Sequence, residues 1–311
     1  FVTWYLGLVG LPVQLALLLF AAAGVYAIAS KKYDRTEIQQ NLKWDLVFFG
    51  AFALMLISRF LTPGIIPSGE KFMDAAFLGS IMLSPTVTPL DPWYAGGELS
   101  IYYYLGHWMC GVLGILSNGT PTVVFNLMLP TVFALAAVSA YAIGVLLLKR
   151  HQWISMLVLI LPNAALIWHT IVGGGAVGIW WASTRVIENT INEYPMFSFL
   201  WGDPHAHVLG CFNQLFFLCL LAVLLVRWST LSRTGKYLLC VMLALSLGTM
   251  PAMNSWDVMV YASVYLVTAA VLWIKQGHSL HDAVPLALVP VLSLASYAPF
   301  LYTMLSGGGT S

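Results

Sequence analysis

Long apolar stretches alternate with short polar segments along most of the chain. A helix needs about 20 predominantly apolar residues to cross the hydrocarbon core of a bilayer. Runs of this kind predict eight spans, at 3–29, 44–61, 122–148, 153–172, 206–226, 237–253, 258–274 and 283–305. The pattern is typical of an all-α, polytopic helical membrane protein.

A shorter apolar run over residues 101–116 decides the predicted topology. Lys and Arg concentrate in the cytoplasmic loops of membrane proteins. If this run does not span, ten of the thirteen Lys and Arg share one side, whereas a spanning run divides them between both sides. We therefore predict that the run lies at the outer interface. The external side then holds only three of the Lys and Arg residues, namely Arg59, Lys71 and Arg185.

The two long loops, 62–121 and 173–205, lie on the external side in this topology, with eight of the twelve acidic residues. Long polar loops are where function usually resides. We therefore predict a multi-pass protein of the cell membrane whose active face is external.

The first external loop contains two predicted interfacial helices. Glu70 to Leu83 places its small and apolar residues on one side at helical spacing, which predicts an amphipathic helix lying on the membrane. Segment 99–116 is predicted to be the second, with Tyr and Trp suited to the headgroup zone. The predicted apolar side of the first helix consists of Phe72, Ala75, Ala76, Leu78, Gly79 and Met82.

Composition agrees with a membrane protein and excludes several other classes. The chain has 60% hydrophobic and 8% charged residues, whereas a soluble domain carries about 25% charged residues. This excludes a soluble enzyme, a disordered chain and a nucleic-acid-binding protein, which needs a basic surface. The four cysteines lie in apolar stretches without CxxC spacing and are interpreted as core residues. A chain that begins at Phe1 is expected to be a fragment of a longer protein.

Two carboxylates follow the second predicted span. Glu70 and Asp74 are four residues apart and so share one face of a helix. Partial desolvation and mutual repulsion raise the pKa of such a pair, which suits a general base. Either residue is a candidate catalytic base, and a solvated loop is the alternative interpretation.

A second acidic motif, Gly202-Asp-Pro-His-Ala-His207, precedes the fifth predicted span. Asp203, His205 and His207 are suitable ligands for a divalent metal such as Mn²⁺, Mg²⁺ or Zn²⁺, and all three face one way in an extended segment. The alternative is a helix N-cap at Asp203 with Pro204 at the first helical position. That alternative accounts poorly for the two histidines.

Other polar residues at the external ends of spans are candidates for substrate binding. Arg185 is a candidate phosphate ligand, with a surface ion pair to Glu188 as the alternative. An aromatic belt explains the tyrosines equally well, and Asp257 can simply cap the seventh span. The candidate substrate-binding residues are Lys71, Asp91, Tyr103, Tyr104, His107, Arg185, Glu193, Asn254 and Asp257.

Several motifs together resemble the archaeal and chloroflexal "YYY" membrane proteins, an uncharacterised family named for its triple tyrosine. The resemblance covers about residues 60–260, with the motifs in order. These are Gly69-Glu-Lys-Phe-Met-Asp-Ala-Ala-Phe-Leu78, Asp91-Pro-Trp-Tyr-Ala-Gly-Gly97, Tyr102-Tyr-Tyr104, Ile191-Asn-Glu-Tyr-Pro195, Gly202-Asp-Pro-His-Ala-His207 and Asn254-Ser-Trp-Asp257.

The layout is also similar to that of the GT-C glycosyltransferases, such as protein O-mannosyltransferases. The resemblance implies a core over 44–311 that is preceded by an added N-terminal span and cytoplasmic loop, 1–43. It also implies a catalytic carboxylate at Glu70 or Asp74 and a polyprenyl-phosphate-linked sugar donor in the membrane lipid. This chain lacks the usual Asp-Glu doublet of those enzymes. A transporter or channel and a non-catalytic lipid-binding protein are the alternatives.

Overall fold

The computed structural model describes residues 1–30, 35–65, 70–99, 104–173 and 175–306 of the chain. Within these ranges the protein is all-α, as predicted. The α-helices in chain order are α1 (Val2–Leu8), α2 (Ala16–Ser30), α3 (Arg35–Leu61), α4 (Lys71–Leu83), α5 (Leu105–Leu116), α6 (Pro121–Leu147), α7 (Ala164–Val172), α8 (Ala176–Ala182), α9 (Pro195–Trp201), α10 (Ala206–Arg227), α11 (Arg233–Met253), α12 (Ser255–Lys275), α13 (Leu280–Ser296) and α14 (Ala298–Ser306). Short 3₁₀ helices lie at Val13–Leu15, Gln152–Leu159 and Trp228–Thr230.

The described residues contain six helical segments that are long and apolar enough to cross a membrane. The number of spans rises to eight if each of two further helix pairs forms one bent span. This agrees with the predicted polytopic architecture. The six continuous segments are Val13–Ser30, Thr36–Leu61, Pro121–Leu147, Ala206–Thr230, Arg233–Met253 and Ser255–Lys275.

The first predicted span, 3–29, is wrong as a single helix. The chain turns between α1 and α2, where Gly10 has a positive φ of 71° and Pro12 begins the next turn. Glycine tolerates this backbone conformation because it lacks a Cβ. The crossing segment therefore starts only at Val13.

The predicted spans 153–172 and 283–305 are each broken. The first consists of the 3₁₀ helix Gln152–Leu159 and α7, bent by 66°, and the second of α13 and α14, bent by 57°. Asn163 starts α7 because its side chain accepts a hydrogen bond from the Leu166 backbone amide. A local cap of this kind stabilises a helix start at the break.

Five long helices pack one on the next to form most of the apolar core. Helix α6 lies between α3 and α10, α10 also packs on α11, and α11 packs on α13. The short helices α4 and α5 pack on each other and on α6. By contrast, only 11% of the residues in the crossing windows of Val13–Ser30 and Ser255–Lys275 are buried. Large apolar faces outside the core are what a lipid environment accommodates.

The face of α4 that is buried differs from the predicted one. The structure buries Lys71, Asp74, Phe77, Leu78 and Ile81, whereas Phe72 is 47% exposed. The interpretation of the face as purely apolar was therefore wrong. A buried polar group requires a partner, and the partners of Asp74 come from other segments of the chain.

The predicted topology places the start of α6 outside and the start of α11 inside the cell. Thr120 and Thr234 mark these two positions and are both exposed. In a variant without Cys219, the one native cysteine that is not buried, we expect Thr120→Cys to react with an impermeant maleimide from outside. Thr234→Cys should react only after permeabilisation. Reaction of both cysteines from the same side would contradict the topology.

Candidate functional site

The connection between α9 and α10 places Asp203 of the second acidic motif next to Asp74 of helix α4. Gly202 ends α9 in the left-handed conformation, with φ of 75°. Glycine adopts this backbone conformation without strain, and a Cβ at this position would also displace the guanidinium of Arg59. Helix α10 begins at Ala206, with His205 at its N-cap. The alternative interpretation of Asp203 as the N-cap is therefore wrong.

Asp203 lies beside Asp74, close enough for Asp74 to raise its pKa. Two neighbouring carboxyl groups favour a state in which one of them carries a proton. On its other side, Asp74 lies 3.0 Å from Nε2 of His107, measured at Oδ1, and both of these side chains are completely buried. Asp74, His107 and the half-buried Asp203 form a polar group that joins α4, α5 and the connection before α10.

Burial raises the pKa of Asp203, and the charge of Asp74 and the hydrogen bond with it raise it further, to about 7. The positive charge of Lys71 opposes this shift, whereas the negative charge of Glu193 adds to it. Like charges and desolvation both disfavour the ionised form of a carboxyl group. Asp203 can therefore exchange a proton near neutral pH.

Two cations lie behind the carboxyl pair. Lys71 is only 5% exposed, and its Nζ donates a hydrogen bond of 2.7 Å to the carbonyl oxygen of Trp201. Burial lowers the pKa of Lys71, the charge of Asp203 raises it, and the nearby Arg59 lowers it. Arg59 is buried and donates from Nη2 to Oδ1 of Asn126 at 2.9 Å. These charges offset the negative charge that is buried beside them.

Glu70 occupies a different position from Asp74. It is the N-cap residue of α4, its side chain is 56% exposed, and its Oε2 lies 2.8 Å from Nδ1 of His205. Glu70 is therefore open to a substrate, whereas Asp74 is closed off from solvent. The two carboxylates both lie at the start of α4, but Glu70 is exposed to solvent and Asp74 is not.

Glu193 and His207 form a second acid–histidine pair, with Oε2 and Nε2 3.1 Å apart. The hydroxyl of Ser198 on α9 donates to the same carboxylate oxygen at 2.7 Å. Burial by itself raises the pKa of Glu193, but the bonds from His207 and Ser198 and the charges of His207 and Arg185 lower it below the usual value. Glu193 is therefore held in its ionised form.

A cavity of about 500 Å³ lies between these pairs. Arg185 contributes a cation to its wall, and its guanidinium carbon lies 4.0 Å from the centre of the Trp181 ring. The wall thus combines carboxylates, histidines, one guanidinium and two indole rings, which can bind an amphipathic polar ligand. The lining residues are Glu70, Trp181, Arg185, Ile191, Glu193, Trp201, Asp203, His205 and His207.

A smaller cavity of about 180 Å³ shares Glu193 and His207 with the first and reaches Gln214 on α10. Gln214 donates from Nε2 to Oδ2 of Asp257 at 2.7 Å. Asn254 donates to the other oxygen of the same carboxylate at 2.9 Å. Asn254 and Asp257 therefore support the wall of the smaller cavity from the start of α12 and do not line the larger one.

The predicted metal ligands do not converge on one point in the structure. His205 faces Glu70, His207 faces Glu193, and Asp203 lies beside Asp74. Among the described residues, no group of three or more His, Cys, Asp or Glu side chains is placed to hold a metal ion. This geometry does not fit a divalent metal at Asp203, His205 and His207.

Tyr104 and Asp91, two of the predicted substrate-binding residues, line neither of these cavities. Tyr104 is buried, and its hydroxyl accepts a hydrogen bond from Nε1 of Trp4 at 2.9 Å, so it ties α1 to α5. Asp91 accepts a bond from the Trp93 amide within a turn. Tyr103 lies outside the described residues.

Arg59 is a site residue that the sequence analysis did not select. It touches Gly202, which precedes Asp203, and it lies near enough to Lys71 to influence its pKa. The sequence could have indicated Arg59, because only Arg59, Lys71 and Arg185 among the Lys and Arg residues lie on the predicted external side. All three lie at or directly behind the larger cavity.

The family model described as "Uncharacterized membrane protein (DUF2298)" matches residues 1–311. No curated protein and no solved structure matches the chain.

The shifted pKa of Asp203 predicts a pH-dependent stability. A carboxyl group whose pKa is raised on folding contributes stability that is complete below about pH 4 and is lost as the pH rises to about 7. We expect Asp203→Asn to remove this contribution, so that its Tm changes less than the parental Tm between these pH values. Thermal unfolding in detergent measures the difference, and Asp91→Asn is the control. Equal pH dependence in the parent and in Asp203→Asn would contradict the shift.

Proposed function

This chain belongs to the DUF2298 family of uncharacterised membrane proteins, and we propose that it is a GT-C-like membrane glycosyltransferase. It moves a sugar from a polyprenyl-phosphate-linked donor on the external face of the cell membrane. The observation that carries the proposal is the larger cavity, where an exposed carboxylate at Glu70 and a guanidinium at Arg185 line the same space.

The order of elements supports a GT-C-like core over 44–311. Helix α3 leads to Glu70 and Asp74, the short helices α4 and α5 follow, and α6 then ends before Lys149 and Arg150. The added N-terminal span over 1–43 is consistent with the small buried share of Val13–Ser30. A shared architecture does not establish a shared reaction. The proposed reaction therefore rests on the residues that line the larger cavity.

Glu70 is the better candidate for the catalytic base. A general base must come within hydrogen-bond reach of the proton that it removes. Glu70 lines the cavity and is 56% exposed, whereas Asp74 is fully buried between His107 and Asp203. We therefore propose that Asp74 is a positioning residue that holds Asp203 and the start of α4.

The proposed reaction is a single displacement with inversion at the sugar carbon. The acceptor hydroxyl oxygen attacks the anomeric carbon on the face opposite the donor phosphate. The bond between that carbon and the phosphate oxygen breaks, and its electron pair leaves with the polyprenyl phosphate. The hydroxyl proton passes to the carboxylate of Glu70, which His205 orients from 2.8 Å away.

Arg185 is the candidate ligand for the donor phosphate. A guanidinium binds phosphate oxygens through paired hydrogen bonds and keeps its charge at any relevant pH. Lys71 is less suitable for direct contact, because it is buried and its Nζ already donates to the Trp201 carbonyl. Its proposed role is to balance the charge of Asp203.

A transporter is the second candidate, and the two bent helix pairs favour it. Broken helices near the middle of a membrane form the substrate sites of many transporters. Gln152–Leu159 with α7 and α13 with α14 are two such bent helix pairs, with bends of 66° and 57°. The residues that line the larger cavity belong to neither pair, so the glycosyltransferase remains our first proposal.

Substitution of Glu70 tests the chemistry. We expect Glu70→Gln to lower the turnover by about 10²- to 10⁴-fold, because the amide keeps the shape of the side chain but is not basic. The readout is release of polyprenyl phosphate from polyprenyl-phosphate-linked hexoses by protein in nanodiscs. The matched control is Glu188→Gln, which alters an exposed acid of the second external loop, outside the cavity lining. Parental turnover in Glu70→Gln would reject Glu70 as the base.

Substitution of Arg185 tests the phosphate contact separately from the base. We expect Arg185→Gln to weaken donor binding by about tenfold or more, since a hydrogen bond to a charged group contributes about 1.5–3 kcal/mol. Titration of polyprenyl phosphate without sugar measures this binding directly. If Arg185→Gln folds normally by circular dichroism and binds polyprenyl phosphate as the parent does, Arg185 is not the phosphate ligand.

A further inference from the structure

A second polar cavity lies far from the candidate functional site. It has a volume of about 470 Å³ and is formed where α6 ends and the 3₁₀ helix Gln152–Leu159 begins. We call it the basic cavity, because three of its six lining residues carry basic side chains. The six are Tyr141, Lys149, Arg150, His151, Gln152 and Trp153.

The basic cavity lies at the opposite end of the α3–α6 pair from the larger cavity. At one end Arg59 of α3 donates to Asn126 of α6, and at the other the ring of Trp44 contacts that of Tyr141, with centroids 5.2 Å apart. On each helix these residues are separated by about 22 Å at 1.5 Å per residue. The two cavities therefore face opposite surfaces of a bilayer whose hydrocarbon core is about 30 Å thick.

Among the described residues, neither Lys149 nor Arg150 has an acidic partner. None of the four ion pairs between described residues involves Lys149 or Arg150, and neither residue donates a side-chain hydrogen bond there. Both side chains are exposed. Two neighbouring cations that lack an acidic partner attract an anion, above all at a surface where the dielectric constant is reduced.

The surroundings of the cavity fit a lipid headgroup better than a soluble anion. Trp and Tyr concentrate at the level of the headgroups in membrane proteins, and Trp44, Tyr141 and Trp153 share this end of the bundle. Trp153 and the next residue, Ile154, are 55% and 45% exposed. An apolar rim beside a basic cavity accommodates a molecule with a charged head and acyl chains.

The wall of the cavity is held by close backbone packing. A Cβ on Gly144 would overlap the carbonyl oxygen of Gln152, so the absence of a side chain lets the 3₁₀ helix pack directly on α6. Between the two helices, His151 adopts the left-handed conformation with φ of 53°. The turn that carries Lys149 and Arg150 is thus fixed at both ends, and a fixed site loses less entropy when it binds.

We propose that the basic cavity binds the phosphate of an anionic membrane lipid headgroup. In the predicted topology this is the cytoplasmic leaflet, which carries the anionic lipids that attract Lys and Arg near the surface. The site is separate from the proposed glycosyltransferase chemistry and does not depend on it.

The test compares lipid binding by native mass spectrometry of the detergent-purified full chain, with phosphatidylglycerol and phosphatidylcholine as the probes. We expect the parental protein to bind phosphatidylglycerol in preference to phosphatidylcholine. The double variant Lys149→Gln/Arg150→Gln should weaken phosphatidylglycerol binding by about tenfold. The charge-retaining variant Lys149→Arg/Arg150→Lys should keep the preference.

The matched control removes two exposed basic residues outside the cavity lining, in Arg233→Gln/Lys275→Gln. Phosphatidylglycerol binding should change by less than about twofold in this variant. An equal loss in the control would show attraction to net charge and would overturn the proposal. Displacement of the lipid by millimolar inorganic phosphate would also overturn it, because the site would then recognise a free anion.

Discussion

The contact between the carboxyl groups of Asp74 and Asp203 joins two segments that lie far apart in the chain. Asp74 is completely buried and Asp203 is half-buried, and a buried charge without a partner is strongly destabilising. The raised pKa of Asp203 reduces that charge, His107 contacts Asp74, and the cations Lys71 and Arg59 lie nearby. The start of α4, the start of α5 and the entry to α10 therefore have to lie together.

This buried group also determines what reaches the larger cavity. With Asp74 held inside by His107, the neighbouring Glu70 projects into the open space beside His205. The main chain before α10 positions Asp203, His205 and His207, and each of these side chains meets a different partner. The result is a cavity lined by separate acid–histidine pairs, which suits proton transfer better than metal binding.

The two ends of the α3–α6 pair carry opposite chemistry. Near Arg59 and Asn126, acids and histidines dominate the surface of the larger cavity. Near Trp44 and Tyr141, the lining of the basic cavity contains Lys149 and Arg150 and no acid among the described residues. This asymmetry follows the uneven distribution of Lys and Arg along the sequence.

Hydropathy was sufficient to predict the membrane class and most spans, because each span depends on its own apolar length. It failed where local backbone chemistry interrupts an apolar run, as at Gly10 and Asn163. It also failed for the buried face of α4, where Asp74 is inside.

The sequence by itself determined which residues carry charge at the ends of the spans, and so it indicated Glu70, Asp203 and Arg185 as site candidates. Only the tertiary structure decided that Asp74 lies beside Asp203, that the two histidines contact different acids and that Arg59 packs against Gly202. The physical reason is that a buried polar side chain is stabilised by its partner. In this protein most of those partners come from distant segments, which no local pattern can specify.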